Sequence, residues 1–490
     1  MQLLVKKYGL VFCLVCMPCL WVLAQQKIKS PVIHDTTELN IVPQRTEDTV
    51  SVPTPFVIRD IYITGNKKTK AYVIERELPF KKGDEVALNQ LVSHFEEARQ
   101  LLMNTSLFHD VIVALKSFEG YNVDVLVDVT ERWYIFPIPY FNLVDRNINQ
   151  WWVEQKRSLD RVNYGLKFNY LNVTGRKDRI KLWLVNGYTR QIEIGYEQPY
   201  ADNSLKHGYN IGFSYSTNRE VNYATVNDRQ AFYKDDRFIK KTTRFNLDYV
   251  YRPAIKTRHT FQFIYTDEKV EDTIAKLNPD YFGGGRSRVR IPELAYSIDY
   301  QSVDYLPYPQ EGLLGKATIS KQGFSDKYNV WQLSAHGSYN TRLSRKSSFS
   351  VEFIGSLRLP FDQPFYAREL LGYGERVMRG MEYYVIDGVA GFVTRSTLRR
   401  KLFEFSINNP LKSNLEKVPF RFFIKTYADF GYAYTRDNGN DRGNRMNNRL
   451  LKSAGFGIDV LTLYDFVISF EYSFNQFGQN GLFLHNRGGF

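Results

Sequence analysis

From residue 133 to the C-terminus the chain repeats one pattern, with apolar and polar residues taking alternate places. Val162, Tyr164, Leu166, Phe168 and Tyr170 point one way; Asn163, Gly165, Lys167 and Asn169 point the other. Phe245, Leu247, Tyr249 and Tyr251 alternate with Arg244, Asn246 and Asp248. Phe466, Ile468, Phe470, Tyr472 and Phe474 alternate with Ser469, Glu471, Ser473 and Asn475. A period of two belongs to a strand with one apolar face and one polar face. Sixteen such segments fit the stretch at about 22 residues per strand and loop, and an even number suits a closed barrel. A soluble sandwich alternates as well, so loop lengths must decide. Connections on one side are short, at 172–177, 253–257 and 461–463. Most on the other are long, at 142–161, 218–240, 268–292, 358–388 and 435–449. Short periplasmic turns and long external loops are the asymmetry of an outer-membrane barrel. The 34 Tyr and 35 Phe suit aromatic girdles at its two rims. The expected fold class is mainly β. A sixteen-stranded transmembrane antiparallel barrel over 132–490 follows one small domain.

The N-terminus sets the compartment. Lys6 and Lys7 precede an apolar run over 8–23, which reads as a signal peptide over 1–24 cleaved before Gln25. Cys13, Cys16 and Cys19 all lie inside it, so the mature chain has no disulfide and no thiolate metal site. Residues 25–54 lack periodicity and read as a flexible linker. The net charge of +13 suits anionic lipid headgroups, and no nucleic-acid motif spacing accompanies it.

Residues 55–131 form a compact unit in the order β-α-α-β-β. A β-branched strand over 56–64 stops at Gly65-Asn66. Helices are expected over 69–78 and 88–103, the second with Leu88, Leu91, Phe95, Ala98, Leu101 and Leu102 on one face. Strands follow over 108–115 and 123–130. The margins of this sheet, at Ile61, Tyr62 and Ile63 and at Phe108 and Val111, are placed to accept an extended peptide by strand addition. The unit resembles a POTRA domain, carried by Ile63-Thr-Gly-Asn66 and by Ser106-Leu-Phe-His-Asp-Val111.

One stretch breaks the alternation. Residues 371–384 carry Gly372, Gly374 and Gly380 together with Arg376, Met378, Arg379 and Met381. Glycines at this density let backbone fold tightly against backbone. The stretch falls in the external connection between barrel strands eleven and twelve. Folded inward, it fills a wide lumen, and Arg379 then needs a carboxylate partner. Asp429 alternates onto the inward face with Lys425 and Gly431; Glu352 and Glu471 also face inward and are weaker candidates.

One POTRA unit, sixteen strands and Val377-Met-Arg-Gly-Met381 in the sixth external loop together resemble the BamA/TamA family of outer-membrane assembly proteins. Tyr196-Glu-Gln-Pro-Tyr200, Asp299 with Pro309-Gln-Glu-Gly312, and the C-terminal Phe490 extend the resemblance along the mature chain. It implies that Arg379 is held inside the barrel by Asp429 on the thirteenth strand. It also implies a protein that inserts unfolded outer-membrane clients, with outer-membrane lipids, periplasmic chaperones or accessory lipoproteins as partners and no cofactor. Met381 stands where that family has an aromatic, and Arg399 where it often has a glutamate.

Closure requires the first strand, over 133–141, to pair with the last. Trp133, Pro137 and Pro139 lie in the first, and proline removes ladder donors. Gly488 and Gly489 weaken the last beside Phe490. Such a seam can open to template an incoming strand. An enzyme is disfavoured, since the chain has no Gly-x-Ser-x-Gly elbow, no His-Glu-x-x-His and no phosphate loop. A two-partner secretion pore shares the plan but usually has two POTRA units and a plugging N-terminal helix.

Overall fold

The computed structural model describes residues 55–143, 162–325, 328–374, 376–408, 417–436 and 442–487. The expected signal peptide and linker, and Phe490, lie outside these residues.

The N-terminal domain has strands β1 (Phe56–Thr64), β2 (Glu85–Val86), β3 (Phe108–Glu119) and β4 (Asn122–Glu131) in the order β2-β1-β4-β3. β1 and β4 run parallel, and the other neighbours run antiparallel. Helices α1 (Ala71–Glu75) and α2 (Leu88–Met103) join β1 to β3. Val123, Val125, Val127 and Val129 alternate along β4 into a core with Leu91, Ala98 and Leu102 of α2. Each such side chain contributes about 1.5–3 kcal/mol as an upper bound. Only five residues of the expected first helix are helical. The amides of Lys68 and Thr69 donate to Glu131, at 3.0 and 2.6 Å, and leave Lys70 extended. The core does not end at the domain. Tyr134, Tyr200 and Leu205 of the following region are buried in the same cluster.

The second sheet begins with β5 (Ile135–Leu143), β6 (Val162–Leu171), β7 (Arg179–Gly187), β8 (Thr189–Gln198) and β9 (His207–Asn218). A hairpin of β10 (Glu220–Val226) and β11 (Arg229–Lys234) stands outside it. The sheet continues through β12 (Lys240–Tyr251), β13 (Thr257–Val270), β14 (Arg288–Val303), β15 (Gly312–Ser325), β16 (Tyr328–Arg342) and β17 (Ser347–Leu359). Helix α3 (Asp272–Leu277) lies between β13 and β14. A second small hairpin, β18 (Glu369–Leu371) with β19 (Ile386–Asp387), precedes β20 (Ala390–Asn408), β21 (Lys417–Tyr434), β22 (Leu451–Leu461), β23 (Val467–Asn475) and β24 (Asn480–Arg487). Sixteen strands pair in chain order from β5 to β24, each antiparallel to the next.

Alternation sorts the two faces. Tyr249 and Phe261 stack across strands at 6.1 Å, and Phe403 and Phe422 at 4.7 Å; Tyr249, Phe261 and Phe403 are exposed and Phe422 is half-buried. Apolar residues recur on that face around the sheet, far beyond the patch a soluble protein tolerates, and they suit hydrocarbon. Inward lie buried polar groups, among them Ser297, Asp429, Asp459, Glu471 and Ser473. No helix among the described residues is long and apolar enough to cross a membrane.

The stretch 218–240, expected as a plain loop, contains the β10–β11 hairpin. Asn227 and Asp228 make its turn at φ +52° and +58°. The Asn227 amide donates to the Arg442 carbonyl at 3.0 Å, and Val385 donates to the Asp228 carbonyl at 2.9 Å. The Asp228 carboxylate accepts from the amides of Arg445 and Met446 at 3.0–3.1 Å. The hairpin is thereby laid across two other external loops.

Candidate functional site in the barrel lumen

The connection between β17 and β20 holds the Gly- and Arg-rich stretch. Gly372, at φ +83°, has no room for a Cβ, which would lie 2.2 Å from the Tyr384 carbonyl oxygen. Gly380, at φ +81°, passes against Ser473, so the loop backbone touches the wall at β23. Its carbonyl accepts from Asn475 Nδ2 at 2.8 Å. Gly374 has a positive φ with open space beside it.

Between these glycines Arg379 is buried. Its Nε and Nη2 donate to the two oxygens of Asp429 at 2.9 and 2.5 Å, and its backbone amide adds a third bond at 3.1 Å. Nη1 donates to Thr397 at 3.1 Å, and the guanidinium lies 4.0 Å from the Tyr427 ring centroid. Charge, hydrogen bonds and a stacked face thus fix one planar group. Met378 and Met381 are buried with Leu370, Leu371, Ile386, Val393 and Met446. Arg376 stays apart from this group; its carbonyl accepts from the Gly372 amide at 2.9 Å and closes the turn.

A second charged cluster lies deeper, and alternation alone did not point to it. Lys425 Nζ stands between Asp459 Oδ1 at 2.5 Å and Glu471 Oε1 at 2.6 Å. Asp459 also accepts from Ser469 at 2.6 Å and from Tyr308 at 2.7 Å. Lys425 can reach β23 because Gly457 separates it from Glu471 in the register. Gly455 likewise lets the Tyr427 hydroxyl reach Ser473 at 2.7 Å. The weaker carboxylate candidates are engaged elsewhere. Glu352 pairs with Arg395 at 3.1 Å, and Glu471 pairs with Lys425. Arg399 donates to the Pro309 carbonyl at 3.1 Å, with its guanidinium 4.8 Å from the Tyr308 ring.

The small domain is joined to several turns of the barrel. Glu77, fully buried, pairs with Arg252 and accepts from the Tyr200 hydroxyl. Burial alone would push this carboxyl up; the Arg252 guanidinium outweighs it and holds it at about 2. Arg76 Nη2 donates to the Arg252 carbonyl at 3.0 Å. Lys256 pairs with Glu97 at 2.7 Å, Asn104 Nδ2 donates to Val303 at 2.9 Å, and Lys70 donates to Gly175 at 3.0 Å. Gly175 follows β6, Tyr200 follows β8, Arg252 and Lys256 follow β12, and Val303 ends β14, so the partners come from separate turns of the sheet.

The remaining expected residues fall as follows. Ile61, Tyr62 and Ile63 lie on β1 beyond the two residues that β2 covers, and β3 is the opposite margin. Phe108 and Val111 of β3 turn their side chains into the core, so that margin offers backbone together with exposed Ile112, Leu115 and Phe118. Trp133 precedes β5 and is exposed. Pro137 and Pro139 face outward in β5, which begins two residues later than expected.

Residues 56–132 match the family described as POTRA, surface antigen variable number repeat. No curated protein matches the chain. Among solved structures, CdiB from Escherichia coli is similar at 12% identity and a TM-score of 0.50, over 89% of this chain and 76% of that one. BamA from Haemophilus ducreyi lacking POTRA domains 1-3 is similar at 15% identity and a TM-score of 0.48, over 88% and 83%. The chain therefore joins a POTRA domain over 56–132 to a sixteen-stranded antiparallel sheet whose fold is similar to that of the CdiB barrel.

Proposed function

We propose that this protein is an assembly factor of the bacterial outer membrane, with its POTRA domain in the periplasm. It receives unfolded outer-membrane polypeptides along the margins of the POTRA sheet. It then inserts or translocates them at the seam between β5 and β24. Lipids of that membrane are its solvent, and periplasmic chaperones or accessory lipoproteins deliver its clients. No catalytic step is needed, and the charged groups of the lumen hold one another.

The observation that carries this reading is the make-up of β5, one end of the sixteen-strand order. Pro137 and Pro139 are two apart, so their missing N–H groups fall on one edge of the strand. The β5–β6 register runs unbroken through both, opposite Phe168 and Leu166. The missing donors therefore belong to the edge that faces the seam. A seam short of donors opens at lower cost than a fully bonded ladder and leaves acceptors for an incoming strand.

The test is a set of cysteine pairs at outward positions of the two strands, such as Phe141 with Leu482, in a mature chain without other cysteines. Oxidation should stop client insertion into lipid vesicles, and reduction should restore it. Full activity with the seam locked would exclude lateral insertion. It would leave a polypeptide secretion pore, in which clients thread the lumen, as the reading of the same plan.

A further inference from the structure

Three side chains from different parts of the chain converge on the lumen wall near the Arg379 loop. They are Glu382 of the loop, Glu471 of β23 and His485 of β24, whose donor atoms all lie within 4.8 Å of one another. His485 Nε2 is 3.4 Å from Glu382 Oε1 and 3.3 Å from Glu471 Oε2. Glu471 is 2% exposed, yet its Oε2 makes no hydrogen bond among the described residues; nor do Glu382 Oε2 and His485 Nε2, which are also buried atoms. Three buried polar atoms left without hydrogen bonds in one place need an explanation. Their other contacts are made: Glu471 Oε1 holds Lys425, and Glu382 Oε1 accepts from the Gly380 amide at 3.0 Å.

We propose that these residues form a binding site for one zinc ion. Zinc–nitrogen and zinc–oxygen bonds of about 2.0–2.2 Å at tetrahedral angles place neighbouring donors about 3.3–3.6 Å apart. The imidazole nitrogen already stands at that separation from both carboxylates. One imidazole and two carboxylates suit zinc, whereas calcium and magnesium take oxygen alone. The fourth position faces a cavity of about 650 Å³ lined by Arg379, Arg395 and Glu352, with room for water. Lys425 offsets part of the carboxylate charge and limits the affinity. Bound there, the ion ties the last strand to its neighbour and to the lumenal loop. The site stands on its donors and does not depend on how the seam is used.

The experiment uses the mature protein in detergent, without a histidine tag, equilibrated with zinc chloride and measured by elemental analysis and by competition with a chromogenic chelator. One zinc per chain is expected, together with a rise in the temperature of heat-modifiable unfolding. Glu382→Gln lies outside the sheet and should fold; it should weaken binding by more than about tenfold. His485→Gln should abolish both binding and the thermal shift. Zinc binding that survives both substitutions overturns the site. So does the absence of zinc in the wild type.

Discussion

Arg132 and Asp465, 333 positions apart, meet as a two-pronged ion pair at 2.6 and 3.1 Å. Arg132 sits between β4 and β5, and Asp465 lies in the turn from β22 to β23. Nε of Arg132 donates to the Phe108 carbonyl at 2.7 Å, and the Tyr305 hydroxyl donates to Asp465. The start of the first barrel strand is thus tied to the far side of the seam without passing through β24. Both side chains are largely buried. Asp465→Ala leaves Arg132 uncompensated and should cost about 3–5 kcal/mol. The expected result is tryptic release of the POTRA domain at a lower temperature, while the barrel keeps its heat-modifiable mobility.

Removing the carboxylate beneath the loop should act on the barrel itself. Asp429→Ala buries an unpaired Arg379 and should destabilise the loop's inward position by about 3–5 kcal/mol. A double variant, Arg379→Met with Asp429→Leu, should recover most of the loss, because no charge is then left bare. Unfolding temperature on semi-native gels separates the two. A double variant as unstable as the single one would show that packing, not charge, holds the loop.

The junction should respond to acid. His109 packs against Tyr464, with ring centroids 5.1 Å apart and the planes tilted by 59°, and burial, reinforced by the nearby Arg132, pushes its imidazole down to about 4. A base with a depressed pKa favours the folded state in its neutral form. Its contribution is present above about 6.5 and is lost as pH falls toward 4. Proteolytic release of the POTRA domain should therefore rise between pH 6.5 and 4, and His109→Gln should flatten that rise relative to the wild type.

Gly175 should tolerate no side chain. It has φ +83°, and a Cβ would stand 2.3 Å from the Lys68 carbonyl oxygen in the POTRA domain. Gly478 has φ +73° with nothing near it. Gly478→Ala should cost about 1–2 kcal/mol from the left-handed backbone alone. Gly175→Ala adds the clash and should also loosen the domain in protease-protection assays, which Gly478→Ala should not.

Strands were the legible part of this sequence because their side chains repeat every second residue, and a segment such as 466–474 announces its faces without a partner. Contacts between strands were less legible, because they depend on register. Parity says that Lys425 and Glu471 both face inward. Only the position of Gly457 between them shows that they touch. The β10–β11 hairpin was hidden for another reason. Its Asn227-Asp228 turn carries the left-handed residues that tight hairpins favour, but the flanking strands are short and read as loop. The first POTRA helix was overextended because Glu131, more than 60 residues away, competes for the amides at its start.

The β10–β11 turn is bonded to two other loops at once, through the Arg442 carbonyl on one side and the Val385 amide on the other. Neither loop can swing aside without stripping the turn of partners, so a displacement of one is felt mechanically by the other.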